Sequence, residues 1–181
     1  YAYDNDISAN RLMLLQPFTR DVATLQQQGI EVVCCDWPLS QHPLLAGIKH
    51  LNRLDQVMAR AQWQDTHITE GLMSDQQGRL IEGTMSNLFV VDKNARLITP
   101  PLDQCGVAGT MRQAIMERFS PALALECVQD YLPDLHDVEE MFICNALMGI
   151  VPVVKCQQFT FSIGSVTQAL QQQLQNNSRS K

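Results

Sequence analysis

An α+β fold on a mixed β-sheet is the architecture this chain predicts, for three reasons. Strand-like apolar runs follow one another directly at some points and alternate with helical patterns at others, which does not suit a doubly wound parallel sheet. Two strand pairs are joined by hairpin chemistry, Asp75-Gln76-Gln77-Gly78 and Asp92-Lys93-Asn94-Ala95. A length of 181 residues with 45% hydrophobic content suffices for one domain with a sizeable core. No internal repeat is visible.

Taken in order, the elements begin with a strand over 12–16, in Arg11-Leu12-Met13-Leu14-Leu15. A helix over 19–28, closed by Gly29, leads into a strand over 30–36. Leu51, Leu54, Met58 and Ala61, with Val57 beside them, recur at helical spacing and predict a helix over 51–65. A strand over 68–74 enters the first hairpin, whose second arm ends at Glu82. Strands over 87–92 and 97–100 flank the second turn. A helix over 110–119, a strand over 123–128 and a short helix over 134–138 follow. Strands over 141–144 and 151–155 and a helix over 166–174 complete the pattern. The Gln/Asn/Ser-rich end is expected to fray, which sets a domain over 1–175 and a disordered tail over 176–181.

Net charge is −6 with scattered Lys and Arg, which argues against a nucleic-acid footprint. No uninterrupted apolar run approaches bilayer-spanning length. The six cysteines include no C-x-x-C pair and no zinc spacing, and several lie in apolar runs. They read as reduced, buried thiols of a cytoplasmic protein. The polar start, without Met and without a basic-then-apolar leader, reads as a piece of a longer protein cut in a loop.

Four segments carry candidate chemistry. Lys49 follows the apolar or small residues Leu44, Leu45, Ala46, Gly47 and Ile48 and precedes the helix pattern. A lysine there either snorkels its ammonium to water or is desolvated and kept nucleophilic, as in amines that form Schiff bases with aldehydes. Glu82 sits between Ile81 and Gly83, where a carboxylate needs a partner. That partner is a helix N-terminus or an arginine, or else a cofactor's ring nitrogen. Gly106-Val107-Ala108-Gly109-Thr110 before an apolar helix is either a plain loop-to-helix turn or an anion cradle of free N–H groups. Asn145-Ala146-Leu147-Met148-Gly149 is a simple turn or a second cradle for the same anion.

Together these segments resemble the fold-type-IV pyridoxal-phosphate enzymes, which include the branched-chain and D-amino-acid aminotransferases and aminodeoxychorismate lyase. The wording from His42 through Lys49 to Leu54, from Leu102 to Gln113 and from Ile143 to Met148 is similar to the lyase branch. The resemblance implies a barrel-like large domain of the D-amino-acid aminotransferase-like fold, with the smaller N-terminal domain missing. It implies Lys49 as the Schiff-base lysine and Glu82 as partner of the pyridine nitrogen. Thr110 and Met111 match backbone phosphate contacts, Ala146 a third, and Val107 an apolar contact to the ring. Arg112 matches a family arginine without an assigned role. The implied cofactor is pyridoxal 5'-phosphate, the implied partner a second copy, and the implied reaction elimination of pyruvate from 4-amino-4-deoxychorismate to give 4-aminobenzoate for folate synthesis. Aminotransferase activity is the alternative within the family, and a non-catalytic dimerising fragment the alternative outside it. Relatives carry a further N-terminal domain of about a hundred residues with a phosphate-binding arginine, so the piece is expected to be a poor catalyst alone.

Overall fold

The structure, a computed structural model, describes residue 8 and residues 10–179. Its elements are α1 (Val22–Gln28), β1 (Ile30–Cys34), α2 (Leu54–Arg60), β2 (Ile68–Ser74), β3 (Leu80–Gly83), β4 (Asn87–Asp92) and β5 (Leu97–Thr99). Then come α3 (Thr110–Ala114), a π-helical turn (Ile115–Phe119), α4 (Ser120–Ala122), β6 (Cys127–Gln129) and a 3-10 turn (Leu135–Asp137). The chain continues through β7 (Val138–Asn145), β8 (Gly149–Cys156), β9 (Phe159–Thr160) and α5 (Ser165–Arg179).

Strands β3-β2-β1-β8-β7-β4 are hydrogen-bonded in that order, and β4 pairs back onto β3, so six strands close a barrel. Strands β5 and β6 extend the sheet beyond β4, and β9 pairs with β8. The sheet is mixed, as expected. β1 runs parallel to both β2 and β8, and the remaining barrel pairs are antiparallel. The β1–β2 parallel pair requires a crossover, and that long connection carries Lys49 and α2.

Alternation along β4 builds two layers. Leu88 and Val90 join Ile30, Val32, Leu72, Met141, Ile143 and Val151 inside the barrel. Phe89 and Val91 face outward, where Phe89 stacks on Phe142 with ring centroids 5.0 Å apart. Ile115 and Phe119 of the π-helical turn and Leu170 of α5 cover that outer face. A third cluster, with Trp63, Met73, Ile81 and Cys105, lies under the Lys49 connection.

Local chemistry explains most element ends. Asp21 starts α1 by accepting the Thr24 N–H at 3.2 Å and the Thr24 hydroxyl at 2.7 Å. Gly29, at φ 75°, stops it. Asp75 and Asp92 each hold their hairpin turn through backbone N–H groups and an ion pair to Arg79 or Arg96. Glu140 accepts the N–H groups of Val166 and Thr167 and the Thr167 hydroxyl, fixing the start of α5.

Several expectations are corrected. Residues 12–16 form no strand, and Leu15 is 98% exposed, because an apolar run without a ladder partner has no sheet to join. The helix expected over 51–65 spans only Leu54–Arg60, and its apolar stripe faces outward, with Leu51 101% exposed and Leu54 and Val57 also exposed. Ala59 is its buried residue. β3, expected only as the second arm of the first hairpin, also supplies the closing edge of the barrel. β6 begins at Cys127, because Ala124 turns at φ 54° before it. α5 runs through Arg179, beyond the expected break after residue 175, anchored by Leu170 and Leu174. Residues 180 and 181 of the expected tail lie outside the described residues. All six cysteines are free thiols. Among the described residues no helix is long and apolar enough to cross a membrane.

Candidate active site

A cleft of about 350 Å³ opens where β3, the β3–β4 turn, the start of α3 and the β7–β8 turn meet the Lys49 connection. Lys49, Glu82, Val107, Thr110 and Ala146 all line it, so five of the six residues singled out in the sequence converge there. The side chain of Met111 packs instead into the outer cluster, leaving its backbone N–H at the helix start as its means of reaching the cleft.

Of the two settings open to Lys49, the structure has the water-facing one and not the desolvated one. Its side chain is exposed, as are its neighbours Ile48 and Leu51. Apolar neighbours in sequence do not desolvate an amine when they also point outward. What fixes Lys49 is backbone: Gly47 donates to the Gly106 carbonyl at 2.9 Å and accepts from the Ala108 N–H at 3.0 Å. Gly47 holds φ 79°, which a side chain would strain.

Glu82 is 3% exposed. Its Oε2 accepts the Val107 N–H at 2.8 Å, and its Oε1 is buried with no partner. Burial pushes its carboxyl up to about 7, against the Val107 hydrogen bond and the charges of Arg53 and Lys49. Among the described residues neither expected protein partner, a helix N-terminus or an ion-paired arginine, meets it.

Three further residues hold the cleft; the sequence pointed to Asn145 only as part of its turn and did not point to Glu70 or to a role for Asn87. Glu70, 1% exposed, accepts the N–H groups of Thr84 and Met85 and the hydroxyls of Thr84 and Ser86, freezing the β3–β4 turn. Asn87 donates to the Val107 carbonyl at 2.7 Å. Asn145 accepts the N–H groups of Leu147 and Met148 and donates to the Met85 carbonyl, tying the two turns together. The signal for Glu70 was present as Thr84 and Ser86 in one turn, but their acceptor lies 14 and 16 residues away. Arg112 is a structural residue: it donates to the Thr99 hydroxyl, the Pro100 carbonyl and Gln129 Oε1, binding α3 to β5 and β6. Among the described residues no cluster of metal-ligating side chains occurs.

The family model described as amino-transferase class IV matches residues 3–156. The chain belongs to this family. It is 37% identical over 151 residues to an aminodeoxychorismate lyase of Vibrio harveyi, covering 81% of this chain and 55% of the relative. A putative branched-chain-amino-acid aminotransferase of Methanocaldococcus jannaschii is 30% identical over 134 residues, covering 71% of this chain and 46% of that protein. Among solved structures, 4-amino-4-deoxychorismate lyase from Pseudomonas aeruginosa superposes with a TM-score of 0.81 at 40% identity, covering 85% of this chain and 57% of that one. The chain thus spans about half the length of the relatives it matches.

Proposed function

We propose that this class IV chain forms the main catalytic wall of a pyridoxal-phosphate-dependent lyase. The lyase converts 4-amino-4-deoxychorismate to 4-aminobenzoate and pyruvate, and the remaining length found in the relatives completes its site. The observation that carries the reading is the meeting of Lys49 and Glu82 in one cleft, in a chain whose strong matches include two lyases.

The residues present fit the cofactor. Glu82 Oε1 is a buried acceptor aimed at no protein donor, as a ring N–H partner requires. A methyl at Gly109 would overlap Asn87 Oδ1, so the backbone at the start of α3 stays bare. No side chain caps that helix start, which leaves its first N–H groups for an anion. Thr110, Met111 and Ala146 would hold the phosphate, and Val107 would pack on the ring.

When bound, pyridoxal phosphate supplies an aldehyde carbon that joins an amine and a protonated ring that takes up electrons. Glu82 holds a proton at the ring nitrogen through Oε1. Lys49 Nζ would secure the cofactor until the substrate amine takes its place, and, once freed, would take the proton from the substrate carbon bearing the amine. The carbon–oxygen bond to the enolpyruvyl group then breaks, which leaves the six-membered ring aromatic. Lys49 returns a proton to the departing methylene carbon, which yields pyruvate. The exposed Leu147 of the cleft wall and the exposed Ile48, Leu51 and Leu54 along the connection that carries Lys49 suit cover by a second copy or by the remaining length of the protein.

The test is direct assay of the full-length protein with 4-amino-4-deoxychorismate. Equal release of 4-aminobenzoate and pyruvate supports the lyase. Keto-acid production from branched-chain or D-amino acids, without 4-aminobenzoate, assigns it to the aminotransferases. Absence of both, with no cofactor absorbance, leaves a non-catalytic module.

A further inference from the structure

A second cavity, of about 180 Å³, adjoins the Lys49 cleft and is lined in part by His42, His50 and Asp55. Only two residues line both cavities, Glu82 and Arg53. Together they form the partition between them.

Arg53 stands at the start of α2, and its backbone carbonyl accepts the Val57 N–H at 3.1 Å. Its side chain is half-buried. Among the described residues its guanidinium makes no hydrogen bond and no ion pair. The neighbouring Asp55 is already engaged by the Trp37 indole and the Ser40 N–H. Glu82, across the partition, keeps Oε1 buried and unpartnered. An uncompensated buried carboxylate gives up its charge by taking a proton.

The other charges around Glu82 do not relieve this. Glu70 is of like sign, and Cys105 is held neutral by burial. Arg112 is committed to Thr99, Pro100 and Gln129. His42 and His50 line only the second cavity, and Lys49, exposed and lining only the first, acts on Glu82 less than Arg53 does. Arginine, unlike lysine, keeps its charge in a desolvated setting.

We propose that Arg53 is a positioning residue for Glu82: its guanidinium favours the ionised carboxylate in the partition, and so favours the proton on the cofactor's ring nitrogen. The second half of this inference rests on the proposed role of Glu82; the first half does not.

The test begins with the 181-residue chain without cofactor, its glutamate carboxyls labelled with carbon-13 and the Glu82 signal assigned by its loss in Glu82→Gln. Arg53→Met, which keeps the apolar stem, should raise the proton affinity of Glu82 about tenfold, as loss of a nearby opposite charge does. Arg53→Lys should restore most of the wild-type titration. An unchanged Glu82 titration in Arg53→Met overturns the proposal. Should Arg53→Met fail to fold, Arg53→Gln runs the same comparison. In the full-length enzyme loaded with pyridoxal phosphate, Arg53→Met should lower kcat with KM little changed. The double variant with Glu82→Gln should be no slower than Glu82→Gln alone. A further fall in the double variant shows Arg53 acting independently of Glu82 and overturns the proposal. A full-length protein without lyase activity refutes the proposed function, while the carboxyl titration still decides the pairing.

Discussion

Glu82→Gln should flatten the fall of stability with rising pH. In the folded chain burial lifts the Glu82 carboxyl from 4.5 to about 7. Across that interval the native state binds a proton that the unfolded chain has lost, so stability declines as pH rises through it. The decline is complete above the folded value and absent below the unfolded one. At about 1.4 kcal/mol per unit, the full interval is worth about 3 kcal/mol. Glutamine does not titrate, and its carbonyl can still accept the Val107 N–H. Its buried amide adds an offset of about 1–3 kcal/mol that does not vary with pH. The unfolding free energy of the variant, relative to wild type, should therefore gain roughly 2 to 3 kcal/mol between about pH 5 and about pH 8.5. Urea unfolding followed by circular dichroism, on the chain without cofactor at a series of pH values, measures this. Wild-type and variant curves that run parallel across the range refute the reasoning.

Three other outcomes are expected. Borohydride reduction of the full-length protein with pyridoxal phosphate, followed by peptide mapping, should place the label on Lys49; a label on Lys93 or Lys155 removes Lys49 from its role. Gly109→Ala should weaken pyridoxal phosphate binding at least about tenfold, because the methyl displaces Asn87 from the Val107 carbonyl and each lost contact of this kind costs about 1–3 kcal/mol; unchanged affinity by fluorescence titration counts against the cradle. Arg112→Met should lower unfolding free energy by about 2–4 kcal/mol through loss of two buried hydrogen bonds and one part-buried one, and denaturant midpoints equal to wild type would show that those bonds carry no stability.

The parts of the site visible in the sequence are those whose chemistry is local. Gly106 to Thr110 and Asn145 to Gly149 announce turns that expose backbone, and both line the cleft. A glutamate flanked by Ile81 and Gly83 announces a buried carboxylate, and Glu82 is one. What stayed hidden depends on partners far along the chain. Glu70 is legible only once β2 lies beside the β3–β4 turn, and Asn87 only once Val107, 20 residues on, is brought to it. Apolar periodicity misled at Leu51, Leu54 and Val57, because spacing reports a face without reporting what covers it. The same reasoning failed at residues 12–16, where apolar content without a pairing edge gave no strand. Barrel closure was legible only through the family resemblance, since it rests on pairing between β3 and β4 rather than on any pattern within either.

That closure is made by one register pair, Glu82 with Asn87, whereas β4 and β7 share six. The barrel is therefore a ring fastened by a clasp, and the clasp is part of the cleft wall. Opening there disrupts fewer register pairs than opening at any other joint of the ring, so resistance to opening rests on Glu70 and its hold on the β3–β4 turn. With Glu70, the same two residues that present an acceptor and brace a loop set how readily the mouth yields. A substitution that tightened the clasp would stabilise the ring while restricting admission to it.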